Sequence, residues 1–122
     1  MKDDAIYVRH ILECIRRVEE NTAGGFDAFM ASHTLQDAVL RNLQTMAEST
    51  QRLSPAARAA APSVDWTALS GSRNVLVHDC LGIDLQRIWT IVEQDVPVLE
   101  AALQAHPAAS LPRQDQDANH SL

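Results

Sequence analysis

Cysteine, aromatic residues and positive charge are all scarce in this chain, and each shortage excludes something. Two cysteines in 122 residues cannot build a disulfide framework, so Cys14 and Cys80 read as reduced thiols of a cytosolic protein. No stretch approaches the roughly eighteen apolar residues of a membrane span. The opening MKDDAIYVRH is charged where a secretory signal needs an apolar core, so a soluble, cytoplasmic protein is expected. Ten Lys and Arg face sixteen Asp and Glu, a formal charge of −6, and no segment is basic. That argues against holding nucleic acid by broad phosphate neutralisation; a phosphate bound here must meet a few placed cations. With only five aromatics, Trp66 and Trp89 read as core anchors and not as base-stacking platforms. Alternation of apolar and polar residues is missing as well, so no half-buried strand is expected.

Helical periodicity is present almost throughout. Val8, Ile11, Leu12, Ile15 and Val18 follow the capping pair Asp3-Asp4 and predict an amphipathic helix over 3–20, ended by Gly24-Gly25. A short helical turn over 27–31 is followed by a long helix from Ser32, with Leu35, Val39, Leu43, Met46, Ala47 and Leu53 on one face. Ser54-Pro55 stops that helix and starts a brief one over 56–61. Asp65 caps a segment from Trp66 to about Leu81, with Gly82 as its C-terminal cap. Asp84 caps a last helix whose face is Ile88, Ile91, Val92, Val96, Leu99, Ala102 and Leu103, and Pro97 removes a backbone bond near Glu93 and kinks it. The expected fold is all-α, an antiparallel bundle of four to five helices over residues 1–105. Residues 106–122 lack periodicity and read as a disordered tail. His33, His106 and His120 read as solvent-exposed. A chain of this length can bury about two-thirds of its unfolded surface, so no structural metal is needed.

One cluster suggests chemistry, Arg73-Asn74-Val75-Leu76-Val77-His78-Asp79-Cys80. A permanently charged phosphate binder stands five residues before a group that titrates near neutrality. Asn74 and His78 share a helix face, whereas Arg73 and His78 lie about 140° apart, so one copy makes a poor site. Across a two-fold axis, two Arg and two His could converge on one phosphate. RNA carries its own nucleophile, the 2′-hydroxyl. One His could then serve as general base and the other as acid, with Arg73 stabilising the phosphoryl charge and Asn74 orienting the imidazole, and no metal or other cofactor is required. On spacing alone, an ion-paired surface Arg73 and a packed His78 explain the same residues. Glu48, among apolar positions of the long helix, could face Arg73 inside the bundle and hold its guanidinium, or stand as a solvated or partly buried helix carboxylate. His10 and Cys14, one turn apart, supply half a metal site with no second half.

The segment 62–103 resembles the C-terminal half of the HepT-like HEPN toxins. Members read approximately P-x-x-W-x-x-I-x-G-x-R-N-x-x-x-H-x-Y, then a V/I-D pair, a Trp and D-x-P-x-L. The matching positions are Pro62, Trp66, Gly71, Arg73, Asn74, His78, Ile83-Asp84, Trp89, Asp95, Pro97 and Leu99. The N-terminal half fits too, at His10–Ile15, Phe26 to Phe29, and Gln36-Asp37-Ala38-Val39 leading to Ala47-Glu48. The resemblance implies an all-α HEPN homodimer with the R-x4-H motifs at the dimer cleft. It also implies a metal-independent ribonuclease acting on RNA, with Arg73, Asn74 and His78 as catalytic residues and Glu48 and Asp79 in support. A toxin role is implied with it, alongside an antitoxin that is a minimal nucleotidyltransferase of the MntA type. In the family that partner adds AMP to the Tyr of the motif; here the position holds Cys80, a thiol mostly protonated at neutral pH instead of a phenol. The alternative function is a non-catalytic HEPN subunit that pairs with a nucleotidyltransferase and presents its substrate.

Overall fold

The computed structural model describes residues 2–67, 69 and 84–110, and every regular element among them is helical. Helix α1 runs Lys2–Thr22, α2 Phe26–Met30, α3 His33–Gln51 and α4 Pro55–Ala59. Helix α5 spans Leu85–Thr90, followed without a break by a wide π turn over Ile91–Asp95 and by α6, Val96–Gln104. A 3-10 turn covers Pro107–Ser110. The segment expected as a helix from Trp66 to Leu81 lies mostly outside the described residues. Its start is seen: the Leu69 amide donates to the Asp65 carbonyl at 3.1 Å.

The helix ends follow local chemistry. Ser32 caps α3, its hydroxyl accepting from the Leu35 amide at 3.2 Å, and Asp84 caps α5 by accepting from the Arg87 amide at 3.1 Å. Each satisfies an N-terminal N–H that the helix itself cannot reach. Gln36 reaches back to the end of α2, donating to the Phe29 and Met30 carbonyls at 3.0 and 3.1 Å and so stapling α2 to α3. Between α1 and α2 the chain turns at Gly25 with φ 92° and ψ 179°, a region open essentially to glycine alone. A side chain there would meet nothing within 4 Å, so only the backbone resists. Gly25→Ala is therefore expected to cost about 1–3 kcal/mol, read as a lower midpoint in urea unfolding; an unchanged midpoint would show that the turn relaxes freely.

Pro97 explains the π turn. It lacks an N–H and its ring collides with the carbonyl four residues back, Glu93. The break expected there takes the form of a wide turn over Ile91–Asp95, after which α6 begins anew with the proline in its first turn. In that turn the missing N–H would have had no intrahelical partner anyway.

The core forms where the periodicity placed it. Val8, Ile11, Ile15 and Val18 of α1 pack with Val39, Leu43 and Met46 of α3 and with Ile88 of α5, Ile91 of the π turn, and Val96, Leu99 and Leu103 of α6, all buried. Each such side chain contributes about 1.5–3 kcal/mol relative to exposure. Helices α1 and α3 pack most extensively and run antiparallel, since Asp4 meets Ser54 and His10 meets Ser49. The tryptophans anchor as expected. Trp89 lies against Phe26 and Phe29, both ring centroids 5.4 Å away, and half-buried Trp66 packs on the core.

Ordered structure passes the boundary expected at residue 105. His106 is buried, 8% exposed, and the turn that follows lies against α1. The absence of a repeating apolar face did not mean disorder, because one buried hydrogen bond and Ala109 hold this stretch in place.

Candidate functional site

Arg73, Asn74, His78, Asp79 and Cys80 lie outside the described residues, so the site is approached through what leads into it. The entry is α4 and the turn after it. Ser54 caps α4, its hydroxyl accepting from the Ala57 amide at 3.1 Å. The same residue donates twice to the buried carboxylate of Asp4, fifty positions away: its amide to Oδ1 at 2.9 Å and its hydroxyl to Oδ2 at 2.7 Å. At the other end of α4, His106 Nε2 donates to the Ala57 carbonyl at 2.9 Å, and the Trp66 indole N–H donates to the Arg58 carbonyl at 3.0 Å. Arg58 itself donates to the Gln51 carbonyl at 2.7 Å, joining α4 to the end of α3.

These contacts set the charge state of Asp4. The Ser54 amide, and after it the Ser54 hydroxyl, hold its carboxyl below the usual carboxylate range, while burial pulls the other way. Because the folded value is depressed, the stabilisation is present above the unfolded value of about 3.9 and is lost as pH falls through the folded value. Asp4→Asn should flatten the dependence of stability on pH below about pH 4, measured by denaturant midpoints from pH 3 to 7. An identical acid limb in wild type and variant would contradict this role.

Beside that entry is a cavity of about 120 Å³ lined by Ser63, Val64, Asp65, Leu69, Asp95, Val98 and Leu99. Its two carboxylates make it a poor seat for a phosphate. Two cations of α1 are paired with its own carboxylates. Arg16 is paired with Glu13 at 2.6 Å and with Glu20, and Arg17 reaches Glu13 at 3.3 Å. Chiefly through its hydrogen bond from Arg16, the Glu13 carboxyl is held down at about 2. The charges of Arg16 and Arg17 on the outer face of α1 are thus met within that helix.

Glu48 does not turn into the core. It is exposed, about 160–180° around α3 from the buried Met46 and Val39, so a partner must come to it from outside the bundle. Its buried sequence neighbours Ala47 and Ser49 straddle it at 100° per residue. His10 Nδ1 lies 2.6 Å from Ser49 Oγ, and the Cys14 thiol is 3.9 Å from His10 Nε2. Burial pushes the Cys14 thiol up, so it stays protonated and packs as a small apolar group. Among the described residues no three potential ligands gather for a metal, and no helix is long and apolar enough to cross a membrane. Sequence reasoning missed Asp4, Ser49 and His106. Only Ser54, as the cap before Pro55, had a local signal.

An all-α bundle whose R-x4-H segment is led in by a clamped short helix defines a class of helical domain. The comparison with known proteins makes it specific: the family model for HepT-like ribonucleases matches residues 11–106, and the chain belongs to that family. Its relatives include a Methanocaldococcus jannaschii protein named "Gamma-glutamylcyclotransferase and putative RNase", 35% identical over 100 residues, 81% of this chain and 45% of that protein. A "Putative RNase" of the same organism is 31% identical over 81% of this chain and 92% of its own length. The "Probable ribonuclease HepT" of Thermococcus cleftensis is 28% identical over 77% and 86%. The chain thus spans less than half of the first relative and nearly all of the second. No solved structure matches.

Proposed function

We propose that this protein is a ribonuclease that acts as the toxin of a two-component system and is held in check by a minimal nucleotidyltransferase. Two chains form a homodimer and bring Arg73, Asn74 and His78 from each to one cleft. The observation that carries the reading is family membership together with the Arg73-to-His78 spacing in the matched range. The chemistry is transesterification. A His78 imidazole accepts the proton of the ribose 2′-hydroxyl, which attacks the adjacent phosphorus; the bond to the 5′-oxygen breaks as the second imidazole donates its proton. Arg73 neutralises charge on the phosphoryl oxygens, where a guanidinium fork offers two parallel hydrogen bonds. Asn74 orients the imidazole, and Asp79 and exposed Glu48 support the site.

The test is cleavage of an RNA pool by the purified protein in EDTA, with products ending in 2′,3′-cyclic phosphate. A substrate with a 2′-deoxyribose at the cut should be inert. Cleavage that chelator abolishes, or that survives the 2′-deoxy substitution, contradicts the mechanism.

One observation favours a second reading. Cys80 stands where the family has the Tyr that its partner modifies, and the chain is acidic. A non-catalytic subunit that presents a substrate to a nucleotidyltransferase would fit both. It predicts co-purification with that enzyme and no cleavage of any RNA.

A further inference from the structure

The cavity of about 120 Å³ lies where the π turn passes into α6, against the stretch that follows α4. Its floor is apolar, formed by the buried side chains of Val64, Leu69 and Leu99. Val98, 47% exposed, stands at its edge, and Asp65 and Asp95 bring exposed carboxylates to it. No lysine or arginine is among the lining residues. The Asp95 carboxylate is what the local structure leaves over. A residue at the start of a helix ordinarily turns its carboxylate on an amide two or three positions further on, yet Asp95 makes no such bond. The helix runs on from the π turn, so the Val96 amide already has the Ile91 carbonyl, and the position two beyond Asp95 is Pro97, which has no N–H. Among the described residues no ion pair engages Asp95 either.

We propose that this cavity is a docking point for an arginine or lysine side chain of a protein partner, its aliphatic stem against Val64, Leu69 and Leu99 and its charged head at Asp95 and Asp65. Long basic side chains lay their stems on apolar surface and keep the head in a polar setting, and the lining is divided in that way. A cavity of about 150 Å³ holds a benzene ring, so this one suits the end of a side chain and is too small for a nucleoside. Its carboxylates repel phosphate, which excludes RNA as the occupant. Exposed Val98 points to a macromolecule and not to a free amine, because an apolar neighbour of the inserted cation would cover it and add burial that a lone cation cannot supply. Arginine is among the residues that most often anchor interfaces in such pockets. The inference goes beyond the ribonuclease reading and does not depend on it.

The experiment titrates the full chain with n-butylguanidinium and with the peptide Ac-Leu-Arg-Leu-amide, following the methyl resonances of Val64, Leu69, Val98 and Leu99. The uncharged isostere n-butylurea is the control. Both cations are expected to shift these methyls saturably, and n-butylurea to shift them far less at equal concentration. Asp95→Asn should weaken both cations about two- to fivefold, the worth of one exposed ion pair. Raising salt from about 0.05 to about 0.5 M should weaken them similarly by screening. The peptide should bind about threefold or more tightly than n-butylguanidinium, and Val98→Ser should erase that advantage. Asp95 and Val98 are exposed and Asp95 caps no amide, so both variants should keep wild-type helical content. Absent shifts with the cations, equal shifts with n-butylurea, or undiminished binding by Asp95→Asn overturns the docking point. Equal affinity of the peptide and n-butylguanidinium overturns the protein partner and leaves the cavity to a free small cation. Should Asp95→Asn not fold, the salt dependence of wild type decides the electrostatic part. RNA cleavage enters none of these readouts, so failure of the ribonuclease reading and failure of this one are separate results.

Discussion

His78→Ala is expected to lower the rate of RNA cleavage by about 10²–10⁴-fold, the range that general acid–base groups supply. The protein should keep its oligomeric state and its helical content. In the proposed dimer, with one chain providing the base and its twin the acid, a single substitution removes both proton transfers. Arg73→Lys should also fail to support full activity, because an ammonium is a point charge and cannot match two phosphoryl oxygens with a planar fork. Its deficit belongs in kcat, since charge on the phosphoryl oxygens develops in the transition state. A cleavage rate within threefold of wild type in His78→Ala, from protein free of contaminating nuclease, would remove His78 from the mechanism.

The largest stability effect is expected at Phe29. It is fully buried, 0% exposed, on a helix of only five residues, and its ring lies 5.4 Å from that of Trp89 at a 38° tilt. Phe29→Ala removes the aromatic contact and leaves a cavity between α2, α3 and the last helices, at a cost of about 3–5 kcal/mol. Small domains have a total of only about 5–15 kcal/mol, so the variant should unfold at a far lower guanidinium concentration and lie near the edge of folding at 37 °C. The adjacent Met30, 41% exposed, is the control, with Met30→Ala expected within about 0.5 kcal/mol. Equal midpoints for the two variants would mean that α2 is not part of the cooperative core.

The two variants also separate what each level of structure contributes. Phe29 and Met30 are neighbours of similar hydrophobicity, and their opposite fates depend on α2 packing against α3 and the last helix pair. By contrast, Val39, Leu43, Ile88, Leu99 and Leu103 were readable as core from spacing alone, because a helix repeats every 3.6 residues and a one-sided stripe has nowhere to go but inward. The caps at Ser54 and Asp84 were readable for an equally local reason: each side chain reaches an amide three residues on. Of the two readings that Glu48 left open, its exposure fits the solvated helix carboxylate. His106 was misjudged where missing periodicity stood in for disorder.

Scarce cysteine, an acidic balance and helical periodicity were thus sufficient to determine an all-α domain with its main faces, and the residue order around Arg73 and His78 pointed to the HepT-like ribonuclease family. These are properties of composition or of short windows, in which cause and consequence lie within a few residues. The Asp4 and His106 clamp on α4 was decided by tertiary structure alone. Its partners are separated by about fifty positions, and an aspartate or histidine carries no local mark of which distant backbone group it will meet. Only the folding of α1, α3 and α6 around one core brings the two ends of the domain to the same short helix.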